Sequence, residues 1–278
     1  MRIFVTGASG YIGTAVVREL IGAGHRVVGL TRSAHGAQVL EALGAEAARG
    51  VIEEPDVLRR CAAASDGVIH LAFNHDFANF GASLAADLRA VQAMGEGLAG
   101  SGKPLVITAH ANGQASEDAA LAFVEQGVRA SIVSLAPSVH GEGDKGFVPQ
   151  LIRAARERGA SAYIGDGSNR WPAIHRLDAA ALFRLAVESA PAGSRLDGVG
   201  DEGIPFRDIA GAIGRRLNVP VVGISPEEAQ AVIGFVGMVA SLDLARSGEA
   251  TKELLGWKPV HPGLLADLEQ DHYFALSR

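Results

Sequence analysis

The chain has 278 residues, 48% hydrophobic, 20% charged and 5% aromatic, which is a globular composition with length enough for a sizeable core. A formal net charge of -6 with no basic run argues against a nucleic-acid partner. The single cysteine, Cys61, excludes an intrachain disulfide and a cysteine metal cluster.

The first residues already read as a strand. Ile3, Phe4 and Val5 form an apolar run, which suits a strand buried on both faces. Gly7, Gly10 and Gly13 follow at three-residue spacing, and Ile12, Val16, Val17 and Leu20 then mark one face of a helix. A strand, a glycine turn and a helix in that order are what a dinucleotide pyrophosphate needs, because the glycines admit a tight turn and close approach while the helix N-terminus offers free N–H groups. Strand and helix patterns then alternate: strand 26–31, helix 36–43, strand 45–49, helix 55–64, strand 67–73, helix 80–98, strand 104–109, helix 117–126 and strand 129–135. Such alternation predicts an α/β fold, a Rossmann-type doubly wound parallel sheet with its ligand across the C-terminal strand ends. Beyond residue 140 the alternation loosens. Helices are expected at 148–157, 178–189, 206–217, 226–240 and 263–274, with Asp178 and Ser225 as N-caps. This half reads as a small substrate lobe, its segments mainly within 140–278 of a single domain spanning 1–278. The apolar stretch 229–244 is too short to span a membrane. A soluble, cytoplasmic protein without signal peptide or membrane partner is expected, its oligomeric state open.

Strand two ends Gly29-Leu30-Thr31-Arg32-Ser33. An acid at this place usually holds the adenosine ribose; Arg32, with Ser33 beside it, instead favours a 2′-phosphate. NADPH is the expected cofactor, with NADH possible.

The chain resembles the short-chain dehydrogenase/reductase superfamily, in its extended or atypical branch of NAD(P)-dependent epimerases and reductases. The residues that carry the likeness are Thr6-Gly7-Ala8-Ser9-Gly10-Tyr11-Ile12-Gly13, His70-Leu71-Ala72, Ala136-Pro137-Ser138-Val139-His140-Gly141, the stretch Arg170-Trp171-Pro172-Ala173-Ile174-His175-Arg176-Leu177-Asp178, and Leu254-Leu255-Gly256-Trp257-Lys258-Pro259. The resemblance implies a cofactor lined by Gly7, Ser9, Gly10, Tyr11, Ile12, Gly13, Arg32, Leu71, Ala72, Phe73, Pro137, Ser138 and Val139. It also implies a Ser/Tyr/Lys triad that this chain lacks. Its three tyrosines stand at 11, 163 and 273, no lysine lies between Lys103 and Lys145, and Ala109 falls near the expected serine.

Reduction of a ketone needs a hydride and then a proton from a positioned acid, water or the substrate. His110 and Thr108 are the catalytic candidates. Asn74, Phe77, Ser116, His140, Phe147 and Trp171 are candidates for substrate contact, with His75, Asp76, Phe80, Val148 and Leu151 close by in sequence. His70 reads as packed, and His175 with Asp178 as capping and tying a helix. Neither a His-x-x-x-His spacing nor a His/carboxylate cluster stands out, so no metal is expected. The alternative proton source is an aromatic ketone carrying its own ortho phenol. The overall pattern resembles the triad-lacking reductases of angucycline polyketide assembly, which implies a polycyclic aromatic ketone substrate and a role in antibiotic biosynthesis. Two other readings stay open: a non-catalytic NADP(H) sensor, and a nucleotide-sugar epimerase or dehydratase.

Overall fold

The apolar run Ile3-Phe4-Val5 lies at the middle of β1 (Arg2–Thr6), and all three side chains are wholly buried. The computed structural model describes residues 1–275; the side chains of Phe77, Phe235 and Met238 lie outside that description. From β1 the alternation continues through α1 (Tyr11–Gly22), β2 (Arg26–Thr31), α2 (Ala34–Ala42), β3 (Glu46–Arg49), α3 (Pro55–Ala63), β4 (Gly67–His70), α4 (Phe80–Leu98), β5 (Pro104–Thr108), α5 (Gln114–Ala122) and β6 (Arg129–Leu135). The strands lie in the order β3-β2-β1-β4-β5-β6, each pair parallel. The order reverses between β1 and β4, which is where a doubly wound fold places its ligand. The expected α/β class and Rossmann-type sheet are present. Leu58, Ala90, Met94 and Leu98 of α3 and α4 join Val68, Leu105 and Ile132 of the strands in one wholly buried cluster.

Local chemistry sets the element ends. Ser33 opens α2 by accepting a hydrogen bond from Gly36 N at 2.9 Å. β4 stops at His70 and not at residue 73, because Leu71 and Ala72 donate their N–H groups to Thr6 Oγ1 at 3.2 Å each. α5 begins at Gln114, three residues before the expected start, after a turn closed by Gly113 N donating to His110 O at 2.9 Å.

Backbone packing divides the chain into two compact units. The first comprises Met1–Ser134, Ala179–Leu196 and Ala250–Trp257; the second takes Leu135–Asp178, Asp197–Glu249 and the residues from Lys258 on. After β6 the chain runs through β7 (Ser138–His140), α6 (Phe147–Arg158), β8 (Ser161–Ile164), β9 (Arg170–His175), α7 (Arg176–Ser189) and β10 (Ser194–Gly198). β10 lies beside β6 as a seventh strand. There follow β11 (Asp201–Pro205), α8 (Phe206–Leu217), β12 (Val221–Ile224), α9 (Pro226–Ile233), α10 (Phe235–Ala240), α11 (Glu249–Leu255) and α12 (Leu264–Asp267). Within the second unit β9 pairs antiparallel with β11 and parallel with β7, and β12 pairs parallel with β8. Trp171, Phe206, Ile152, Ile213 and Leu268 form its core.

Several expectations for this half are corrected. The six strands β7 to β12 were not anticipated; each spans three to six residues without a clean alternation. The helix expected over 226–240 breaks at Gly234, whose φ of +62° a helix cannot carry. Ser225 does cap α9, in a reciprocal capping box with Glu228. The stretch 263–274 yields only α12 and a 3-10 turn at Asp271–Tyr273. Asp178 is no N-cap: it sits in the first turn of α7 and its carboxylate accepts from Val260 N at 2.9 Å, His261 N at 3.1 Å and His261 Nδ1 at 2.8 Å. Among the described residues no helix is long and apolar enough to cross a membrane.

Candidate functional site

The turn after β1 is built so that only glycine fits. Gly7 has a φ of +67°, and an added Cβ there would come within 2.8 Å of Ala72 N and 2.9 Å of Leu71 C. At Gly13 an added Cβ would lie 2.0 Å from Gly7 O. Gly10 N donates to Gly7 O at 2.9 Å, which closes the turn. Ala8 is buried beneath it, Ser9 and Gly10 are exposed, and Tyr11 and Ile12 are half-buried. Gly10 stands at the N-cap of α1 and no side-chain cap hydrogen bond is made there. A tight glycine turn leading into the positive end of a helix fits a pyrophosphate.

At the end of β2, Arg32 is exposed and its guanidinium has no hydrogen-bond or ion-pair partner among the described residues. Ser33 uses one lone pair to cap α2, leaving its O–H to donate. An added Cβ on Gly36 would meet Thr31 Oγ1 at 2.1 Å and both Ser33 Oγ and Ser9 Oγ at 3.1 Å. The start of α2 is thus folded against the glycine turn, with Arg32 and Ser33 at the rim.

Behind the strand ends lies a polar network that sequence reasoning did not find. His70, 1% exposed, has Nδ1 2.6 Å from Thr6 Oγ1 and Nε2 3.1 Å from Asp87 Oδ1. The two candidates nearest to it are committed elsewhere. Thr108 donates its hydroxyl to His70 O at 3.0 Å, and Ser116 is buried and hydrogen-bonds Asp87. Thr108, a catalytic candidate, and Ser116, a candidate for substrate contact, are thus both tied into the network. Burial raises the Asp87 carboxyl, but the hydrogen bonds from His70 and Ser116 outweigh it and hold it below the ordinary carboxylate value. One signal could have revealed Asp87: it interrupts the apolar face of α4 at helical spacing from Ser83, Ala90, Val91 and Met94.

His110 follows β5. Its ring lies 4.3 Å from Phe73, which also touches His75 at 5.4 Å and Phe80 at 5.9 Å. His110 Nε2 is buried without a hydrogen-bond partner among the described residues. Burial pushes its imidazole down to about 4, against the pull of Asp87, with His70 and His75 adding to the shift. At neutral pH it is a neutral hydrogen-bonding group with one open nitrogen, not an imidazolium proton store. Because the folded value lies below the ordinary 6.5, the unfolded chain protonates first, so stability held above 6.5 is lost as pH falls toward about 4. His110→Gln is expected to flatten that fall, followed as thermal midpoint against pH; equal slopes in both proteins would show that the imidazole is not desolvated. Asn74 is exposed, and the side chain of Phe77 lies outside the description.

The other candidates belong to the second unit. Ser138 and His140 lie in β7 and are buried; Pro137 and Val139 are half-buried. His140 donates from Nδ1 to Asp267 Oδ2 at 2.8 Å, and its Nε2 is buried without a partner among the described residues. Trp171 is 2% exposed and stacks on Phe206 at 5.1 Å, with half-buried Phe147 at 5.4 Å. Trp171 and His140 are thus core residues, a correction to their expected contact with substrate.

Among the described residues one group has metal-ligand composition, His175, Asp178 and His261, with ligand atoms within 4.8 Å of one another. The His175 and His261 rings stack at 4.8 Å with planes 12° apart. Lone pairs lie in the ring planes, so nearly parallel rings do not aim at one ion, and Asp178 already accepts three hydrogen bonds. The geometry is that of a structural tie.

The sheet order, the glycine turn and the open helix end define a Rossmann-type dinucleotide-binding protein. Residues 3–93 match the NAD dependent epimerase/dehydratase family. The chain is 47% identical over 295 aligned positions to an uncharacterised protein of Schizosaccharomyces pombe, covering 99% of this chain and 100% of that one. It is 28% identical over 258 positions to 2-alkyl-3-oxoalkanoate reductase of Stenotrophomonas maltophilia, covering 80% and 77%. The dTDP-glucose 4,6-dehydratase of Streptomyces venezuelae, solved with NAD and TYD bound, shares the fold with a TM-score of 0.78, 16% identity and 99% and 97% coverage. The match over residues 3–93 places the nucleotide-binding part of the chain with the NAD dependent epimerase/dehydratase family, and the chain is a nicotinamide-dependent enzyme of the oxidoreductase/epimerase kind.

Proposed function

We propose that this enzyme is an NADPH-dependent ketoreductase. The observation that carries the cofactor is Arg32: an exposed guanidinium at the end of β2, without an acidic partner among the described residues, where a 2′-phosphate would be held. Gly7, Gly10 and the open end of α1 would hold the pyrophosphate, and Ser33 would assist Arg32. The bound cofactor would supply the hydride. Arg32→Ala is expected to weaken NADPH relative to NADH by about tenfold or more, the scale of one charge-assisted hydrogen bond. Fluorescence titration of both nucleotides checks it, and an unchanged ratio would remove Arg32 from the cofactor site.

A single reduction is favoured over epimerisation or dehydration by α5, Gln114–Ala122, which contains neither tyrosine nor lysine. Those reactions take a proton and return it, so they need a resident acid–base pair; a reduction needs one proton, which water or substrate can supply. His110 is neutral at working pH and so is not the proton store. The loss of the pair equally suits a nucleotide-sensing protein without catalysis, and turnover separates the two.

The substrate class we infer is a polycyclic aromatic ketone of the angucyclinone type, from antibiotic polyketide assembly in the cytoplasm, with an ortho phenol as internal acid. Its support is the half-buried aromatic set of Phe73, Phe80 and His110, which suits a planar ring. A second class, a 2-alkyl-3-oxo acid, is favoured by the reductase relative. Purified protein is given NADPH with a hydroxylated polycyclic ketone, a 2-alkyl-3-oxo acid and a nucleotide sugar. Oxidation of NADPH by the first supports the full reading, and oxidation by the second alone replaces the substrate class. Tight NADPH binding without turnover of any ketone would sink the reductase reading.

A further inference from the structure

Asp87 is a carboxylate in the middle of α4, 1% exposed, on a helix face otherwise made of Ser83, Ala86, Ala90, Val91 and Met94. An ionised group in such a place needs full hydrogen bonding to be tolerated. The bonds around it fix a protonation pattern. Thr6 Oγ1 accepts from Leu71 N and Ala72 N, so both lone pairs are used and its one hydrogen must go to His70 Nδ1 at 2.6 Å. His70 Nδ1 is then an acceptor, and the imidazole proton sits on Nε2, where it is donated to Asp87 Oδ1 at 3.1 Å. Asp87 therefore selects the tautomer of His70, and that tautomer decides which way the Thr6 hydroxyl points.

The chain of bonds ends at the nucleotide turn. Thr6 immediately precedes Gly7, and the Leu71–Ala72 backbone that Thr6 holds lies so close to Gly7 that an added Cβ would reach Ala72 N at 2.8 Å. His70 O also receives the Thr108 hydroxyl, which joins the end of β5 to the same group. We propose that Asp87 is a positioning residue for nucleotide binding: through the Nε2–H form of His70 and the hydroxyl of Thr6, it holds the Leu71–Ala72 backbone in register with the Gly7 turn. The proposal depends on the nicotinamide cofactor common to the family and not on which ketone is reduced. Removing the carboxylate strands His70 Nε2–H in the core, releases the ring and frees the Thr6 hydroxyl to turn away. Both nucleotides should suffer alike, because Arg32 is not involved.

The test is fluorescence titration of the full-length wild type and of Asp87→Ala, Asp87→Asn, Thr6→Val and Thr6→Ser with NADPH and with NADH, alongside thermal melts. The expected result is a Kd raised by about tenfold or more for both nucleotides in Asp87→Ala, the scale of a lost hydrogen bond to a charged group. Asp87→Asn, which keeps an acceptor for Nε2–H but not the charge, should fall between. Thr6→Val should weaken binding and Thr6→Ser should restore it. A role confined to stability would lower the bound stoichiometry and the apparent kcat while leaving the Kd of the folded molecules where it was. A Kd for Asp87→Ala within twofold of wild type at full stoichiometry would overturn the proposal. If Asp87→Ala does not fold, equal Kd values for Thr6→Val and Thr6→Ser would do so. Wild-type protein that binds neither nucleotide would overturn the cofactor assignment itself, an outcome read before any variant.

Discussion

Gly13→Ala is expected to abolish nucleotide binding and to lower stability by about 3 kcal/mol, the upper range for overpacking a rigid site. The new methyl would lie 2.0 Å from Gly7 O and 2.8 Å from Gly7 C, and both are backbone atoms of the turn itself. A flexible side chain could swing away from such a clash, but a carbonyl that accepts Gly10 N at 2.9 Å cannot move without opening the turn. The first turn of α1 would have to retreat from β1, and the phosphate cradle would widen. Gly22→Ala, at the other end of the same helix, is the matched control, since nothing lies within 4 Å of its added Cβ. Urea unfolding and NADPH titration of the two variants measure the effect. Wild-type affinity in Gly13→Ala would mean that the turn does not touch the nucleotide.

Asp178→Ala is expected to destabilise the second unit by about 3 kcal/mol or more, the cost of stranding several donors in a buried place. Its carboxylate, 2% exposed, takes the backbone N–H groups of Val260 and His261 and the His261 ring. Two of those donors are main chain and cannot rotate toward water, so the segment that follows Pro259 would lose its anchor. Asp178→Asn keeps an acceptor but turns an NH2 toward a donor, so it should fall between wild type and Ala. Hydrogen exchange at the amides of Val260 and His261, with urea unfolding, reads the loss directly. Unchanged protection at both amides in Asp178→Ala would show that the carboxylate is not what holds them.

These two sites differ in how far the sequence could reach them. The glycine turn was legible because most of its demands are local, a positive φ at Gly7 and a Gly13 that has no room for a Cβ against the Gly7 carbonyl, although Gly7 is also pressed by Leu71 and Ala72 just after β4. The first six strands were legible for the same kind of reason, since buried parallel strands and amphipathic helices announce themselves by period over a few residues. Arg32 needed only its place after β2. The shorter strands of the second unit did not show, because β7, for example, has three residues and its burial is set by β9, paired with it thirty-five positions on at His140 and His175.

By itself, then, the sequence determined the sheet, the glycine turn and the exposed arginine that follows β2, all of them properties of neighbours along the chain. Only tertiary structure decided what the polar side chains do. His70 and Thr6 are 64 residues apart, Asp178 and His261 are 83, and His140 and Asp267 are 127. Each pair exists because folding buried both partners, and a buried donor or acceptor must find whatever lies opposite it. That is why Thr108, a catalytic candidate in the sequence, and Ser116, a candidate substrate ligand, turn out to be bonded inward to His70 and Asp87. It is also why His110, an ordinary loop histidine by its neighbours, is held neutral with one nitrogen open.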